Sequence, residues 1–389
     1  MIDLLEKIRY NNIKIQMLCI CFALYMEDCG LKILVVFTGG TIGSTIMDGY
    51  AVPDENKKYR LIRMYEENVK GHKRNGVDKN VEFYVESPYQ ELSENNTCME
   101  IFKLASYLNE KINKCKSDNN YDGIIITHGT DTLQYTAAGL SYMFADSDIP
   151  IILVSSNYVL DDKRANGLTN FAYAVKFIEG KYGTGVFVSY CNTNKNPVIH
   201  RGTRLMEHTA YSDDVLSVKN AEYGYFEDGL FVKKITNDNY DKLFVQSTGI
   251  CSQLRSVCLS SENKGNPFTD IQLIKPFPGM RYKLLSDEIK AVLHVTYHSG
   301  TICSKSPDLA EFAMEVNNKR IPVYVLGAGD SVDYDSVKIY GELGFEVLDI
   351  AVLPAMLVKL WLGRLIFQDN DKLSEFMRTD VAGDINLDI

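Results

Sequence analysis

The sequence predicts an α/β protein in two domains, each built on parallel strands joined through helices. Three observations carry that prediction. Short runs rich in isoleucine and valine, Leu31 to Phe37 and Asp122 to His128 first among them, are continuously apolar and too short for stable helices, as doubly buried parallel strands are. The second run breaks at Gly129 and is followed by apolar residues at helical spacing, Leu133, Ala137, Leu140 and Phe144. Beyond a Ser-, Asn- and Gly-rich stretch, strands and helices alternate again, as βαβ units do.

At 389 residues the chain is long enough for two cores. Hydrophobic residues at 46% and charged residues at 24% fit a globular protein, and a net charge of −10 argues against a nucleic-acid partner. Nine scattered cysteines show no paired metal-ligand spacing and read as thiols of a reducing compartment. His200, His294 and His298 are equally scattered, so no metal is expected.

In chain order, residues 1–30 are read as an N-terminal extension, or as a start assigned too early with Met26 as the true one. The apolar run Met17 to Met26 is too short to span a bilayer and lacks a small-residue cleavage site. Strand 31–37 runs into Thr38-Gly39-Gly40-Thr41, whose glycines permit close backbone approach. This is neither a dinucleotide fingerprint nor a phosphate loop, so no cofactor is expected. The polar stretch Ser44 to Asn56, carrying Tyr50, reads as a mobile lid or a plain surface loop.

Further strands are expected at 80–87, 149–155 and 184–190, with helices at 98–111 and 166–179. Ser93 or Asn95 would serve as an ordinary helix cap. Val198 to Ser212, with two arginines and two histidines, reads as an edge hairpin or loop. The domains are set at 31–230 and 271–389, with a linker at 231–270. In the second, strands are expected near 291–297, 321–327 and 345–349, and helices near 307–318, 333–343 and 354–367.

The cluster Thr127 to Thr132 sits at a strand's C-terminal tip and a helix's N-terminus, where open α/β sheets bind ligands and a carboxylate is favoured. Capping by Thr130 or Asp131 is the plainer reading of that cluster taken alone. Taken together, Thr38-Gly39-Gly40-Thr41-Ile42 and Thr127-His128-Gly129-Thr130-Asp131-Thr132 closely resemble the two signatures of the bacterial-type L-asparaginase/glutaminase family, the asparaginase I-like branch. The resemblance covers roughly residues 31–370.

It implies a two-domain asparaginase-like fold, the larger N-terminal domain holding the catalytic threonines. It also implies a homodimer or homotetramer with a shared active site, hydrolysing L-asparagine, and possibly L-glutamine, through an acyl-threonine in the cytoplasm, with no cofactor, nucleic acid or membrane involved. By the same resemblance Thr41 is the nucleophile, Tyr50 its activator on the lid, and Thr130 and Asp131 the second threonine and the ammonium-binding aspartate. Ser93 and Glu94 match the carboxylate-binding segment, Gly40 and Gly129 the turns that approach substrate, and Thr301 a contribution from the partner subunit.

The chemistry agrees: amide hydrolysis needs a nucleophile, a proton acceptor and oxyanion donors. N–H groups of the turns at 39–40 and 129 are expected to be free for the oxyanion. His128 reads as structural. One part departs from the family. Aligning Arg201-Gly202-Thr203-Arg204 with the family's Arg-Gly-Asn-Arg segment puts Glu207 where a lysine pairs with the second threonine and aspartate, and a carboxylate there repels Asp131. Arg204 or Lys163 would then supply the cation, or the enzyme is slow or inactive. Two rivals stay open: an ammonia-delivering amidotransferase-type glutaminase subunit, for which residues 1–30 are too short to supply an extra domain, and a non-catalytic amino-acid-binding homologue.

Overall fold

The computed structural model describes residues 30–54, 57–71, 81–115, 121–234, 248–260, 267–328 and 334–385. The readings made for the first 29 residues lie outside them. The architecture is α/β, with one large, mostly parallel sheet and one small parallel sheet. The large sheet begins with β1 (Leu31–Phe37), which lies between β4 (Val81–Glu86) and β5 (Gly123–Thr127), parallel to both. It continues through β6 (Pro150–Val154) and β7 (Gly185–Tyr190), still parallel. All five residues of β5 and all five of β6 are buried, which is why their sequences lack alternation.

Of the stretch Val198 to Ser212, read as an edge hairpin or loop, the residues after Arg204 are loop and Val198–Arg201 does form a hairpin, but not at the edge, which is a correction. Strand β8 (Val198–Arg201) pairs antiparallel with β7 and is itself covered by β9 (Gly224–Glu227), with β10 (Leu230–Lys233) outermost. A β8–β9 ladder forms because Ile199 and His200 are both shut into the fold, leaving no solvent face to blunt an edge.

Helices cover both faces. The outer face packs on α1 (Lys57–Gly71) and α4 (Gly167–Glu179), through Leu61, Phe171, Ala174 and Phe177. The inner face packs on α2 (Cys98–Cys115), α3 (Leu133–Phe144) and α5 (Thr248–Ser260), the last lying inside the stretch read as a linker and burying Cys251 and Leu254. The small sheet, β11 (Ile271–Ile274), β12 (Ala291–Val295), β13 (Val323–Leu326) and β14 (Glu346–Val347), contributes Leu293, Tyr324 and Leu326 to that same central cluster. Its other face packs on α6 (Leu309–Asn318) and α7 (Ile339–Leu343). Helices α8 (Leu353–Ile366) and α9 (Asn370–Arg378) complete the middle layer, with the rings of Trp361 of α8 and Phe102 of α2 tilted against each other at 5.0 Å between centres.

After α9 the chain clasps the large sheet. Thr203 Oγ1 donates to Ala382 O at 2.9 Å and Arg204 Nε to Gly383 O at 2.9 Å. Lys359 Nζ meets Asp384 Oδ2 at 2.8 Å, with both side chains fully buried. The same carboxylate accepts from Tyr142 OH at 2.8 Å and from Val381 N at 2.9 Å. Nearby, both carboxyl oxygens of Asp380 are shut away from water. Burial first, and then the charge of Asp384, push the Asp380 pKa up to about 7.

Candidate active site

The strand order places the site. Connections from β1 lead to β4 on one side and those from β5 to β6 on the other, so a crevice opens between the C-terminal ends of β1 and β5. Phe37 and Thr127 are register partners, and the two signature turns leave the sheet side by side. Thr38 is buried, and its Oγ1 donates to Thr127 O at 2.6 Å, which ties the turns together.

The glycines explain how close the turns come. Gly40 has φ 76° and Gly39 φ 113°, both in the region other residues avoid. A methyl group on Gly40 would run into the backbone of Gly129, and one on Gly129 into the side chain of Ser93. Gly40, Ser93 and Gly129 therefore converge. Asp131 joins them, its Oδ2 3.5 Å from Ser93 Oγ, while Thr132 Oγ1 donates to Ser93 O at 2.9 Å.

Thr132, not Thr130 or Asp131, is the N-cap of α3, and it makes no side-chain capping bond. Its hydroxyl is spent on the neighbouring loop instead. Asp131 stays exposed at the helix's positive end. The Ser93 reading as a cap is likewise corrected: Ser93 is buried in a short 3-10 turn, Ser93–Asn95, ahead of α2. One expected donor is not available, because the Gly40 N–H donates to Glu91 O at 3.1 Å.

Thr41 is half-buried and opens a 3-10 turn directly after Gly40. That turn leads into a hairpin, β2 (Ser44–Met47) and β3 (Tyr50–Pro53), through Asp48 and Gly49 at φ 52° and 86°, the geometry of a two-residue hairpin turn. Tyr50 opens β3 and is 76% exposed, turned to solvent with Met47 and Ile46. Glu94 is exposed beside Ser93. Thr301 lies in the turn after β12, where its hydroxyl meets Ser299 Oγ at 3.0 Å; among the described residues no bond joins it to the two signature turns.

His128 is fully buried. Its Nδ1 lies 2.8 Å from Gly129 O and its Nε2 3.2 Å from Asn96 Nδ2, so Nδ1 carries the proton and Nε2 accepts. Burial lowers its pKa to about 4, and the ring stays neutral while holding the turn.

The position read as the family lysine brings the largest surprise. Glu207 is exposed on the loop after β8, and Lys275 Nζ, just past β11, holds its two carboxylate oxygens at 2.8 and 2.9 Å. Tyr135 OH adds a bond at 3.3 Å. Of the two expected cations, Arg204 is fully buried, its Nε donating to Gly383 O, and Lys163 is exposed on the loop after β6. The ion pair with Lys275 offsets the repulsion expected between Glu207 and Asp131. The Lys275 contact was not foreseen, since Lys275 lies 68 residues from Glu207 and no periodicity joins them.

Beside Asp131 a cavity of about 510 Å³ opens, lined by Thr130, Gln134 and Tyr135 on one side and by Glu207, His208 and Asp213 on the other. His208 is a second residue that sequence reasoning left without a role. Its pKa is lowered by burial, against the raising fields of Asp131 and Asp213.

The family model described as "Asparaginase, N-terminal" matches residues 32–234, more than half of the chain. A glutamyl-tRNA(Gln) amidotransferase subunit from Methanococcus maripaludis is 25% identical over 280 residues, covering 69% of this chain and 63% of that protein. The chain thus spans less than two thirds of that curated relative. L-asparaginase of Thermococcus kodakarensis is 24% identical over 288 residues, 69% of this chain and 77% of that one. In structure, the thermostable L-asparaginase of the same organism superposes with a TM-score of 0.69 at 20% identity, covering 92% of this chain and 99% of its own. With the family model spanning the sheet that carries both signature turns, the chain belongs to the asparaginase family.

Proposed function

We propose that the protein is an L-asparagine amidohydrolase, forming L-aspartate and ammonia through an acyl-threonine. The observation that carries the reading is the junction at the sheet's switch point, where Gly40, Ser93, Gly129 and Asp131 meet beside Thr41 and Thr130. Asp131 pairs with the substrate's ammonium, and Ser93 with its carboxylate near the start of α3. Thr41 attacks the side-chain amide carbon. Closure of the β2–β3 hairpin brings Tyr50 to the Thr41 hydroxyl and takes Ile46 and Met47 out of water, a gain in apolar burial that favours the closed state. Glu94 borders the carboxylate subsite, and Thr301 acts from a second copy in a homodimer or homotetramer. A cytoplasmic setting suits Cys98, Cys191, Cys251, Cys258 and Cys303, none of which is in a disulfide among the described residues.

A second reading, a glutaminase-type subunit delivering ammonia to a partner, is favoured by the relatives named as glutamyl-tRNA(Gln) amidotransferase subunits. The deciding measurement is ammonia release from L-asparagine and L-glutamine by the purified chain, with Thr130→Ala as control. Release from asparagine that falls by about 10²-fold or more in the variant supports hydrolysis. No release above the variant defeats it, and release from glutamine that depends on an added partner establishes the second reading.

A further inference from the structure

The cavity beside Asp131 holds a base that the reading above does not use. His208 is half-buried in its wall, on the loop that follows β8, and Thr130 and Asp131 lie in the same wall system. The charged groups facing it are Asp131, from the turn before α3, and Asp213, from its own loop. Its neighbour Glu207 is engaged by Lys275 and Tyr135. The other elements bring uncharged groups: Gln134 and Tyr135 from α3, Asn157 from the turn after β6, and Tyr190 from β7. Burial keeps the imidazole neutral at pH 7, with a nitrogen lone pair available. Carboxylates are weaker bases than imidazole, and no lysine or arginine lines this cavity among the described residues.

We propose that His208 is the proton acceptor for Thr130, a role resting on the amidohydrolase reading of this site. In the second half of the reaction a water O–H bond breaks as the water oxygen bonds to the acyl carbon. That proton passes to Thr130 Oγ1 while the threonine's own proton moves to the imidazole. The bond from the acyl carbon to Thr41 Oγ1 then breaks, and the imidazolium returns its proton through Thr130 to the departing Thr41 oxygen. Aspartate leaves and the enzyme is as it began.

The experiment measures kcat and KM against pH for the full-length wild type, His208→Ala and His208→Gln, with and without added imidazole. The expected result is a kcat lower by about 10²-fold or more in both variants, with KM changed only a few-fold. The acidic limb of the wild-type kcat profile disappears, and imidazole restores part of the lost rate in His208→Ala. His208→Gln keeps the test valid if the alanine variant does not fold. Retention of activity within about threefold by the glutamine variant overturns the proposal and leaves the amidohydrolase reading standing. Loss of activity with an unchanged acidic limb and no imidazole rescue also overturns it, since that is the mark of a structural role. A wild type that turns over neither amide overturns both.

Discussion

Arg204 and Glu207 lie three residues apart and end in opposite environments. Arg204 is fully buried under the C-terminal clasp with Lys359, Asp380 and Asp384, while Glu207 stands at the water-facing rim of the cavity with Asp131 and His208. In the clasp the charge of Asp384 is compensated by Lys359, which the fold holds in place, and losing that partner strands the carboxylate in a dry interior, while Asp380 beside it is pushed toward its neutral form. At the rim, water and mobile side chains absorb such a loss at little energetic cost. The clasp therefore reads as structure and the rim as chemistry.

The sharpest way to break this contrast is Lys359→Met. It leaves Asp384 buried with the hydroxyl of Tyr142 but without its ammonium partner, and a cost of about 3–5 kcal/mol is expected in urea denaturation. Specific activity of the molecules that remain folded should be nearly unchanged. A loss below about 1 kcal/mol would remove the distinction between the two regions.

A pH series sharpens it. The Asp380 pKa is raised in the folded state, so between about pH 4 and 7 the native protein keeps a proton that the unfolded chain has released. Its contribution is fully present below the unfolded value and is lost as pH rises through about 7. Asp380→Asn should therefore be more stable than wild type at pH 8, the advantage shrinking toward pH 4, as read from denaturation midpoints. An advantage that grows on acidification would refute the assignment.

The smallest effect belongs to the rim. Glu207→Gln and Lys275→Met should each change stability by about 0–1 kcal/mol, because both side chains are well solvated. The double-mutant cycle should give a coupling of only about 0.2–1 kcal/mol, as exposed ion pairs do. A coupling well above that would show that the Lys275 pair holds the cavity loop as firmly as the clasp holds Arg204.

Much of the frame was legible in the chain itself. Leu31–Phe37 is a strand over the residues read from its apolar run, and α3 starts at Leu133, where helical spacing begins. Such signals are local, since burial on both faces or on one stripe leaves a period in the sequence. The short strands β9, β10 and β11 were not read, nor was α9, whose apolar residues are few and whose Asp369 cap, accepting from Lys372 N at 3.0 Å, is a single-residue signal. Of the site, the two signature turns were visible as motifs, and Ser93 beside them.

Local patterns in the chain were enough to set the α/β class, the order of the principal strands and the glycine-bearing turns at their ends. Hydrophobic periodicity and the conformational freedom of glycine act within a few residues. Long-range packing settled the rest: that Arg204 is buried, that Glu207 is held by Lys275, and that His208 shares a cavity with Thr130. Each of these depends on which distant segment packs alongside. A charged side chain carries no record in its own neighbourhood of the partner, or the water, that will compensate it.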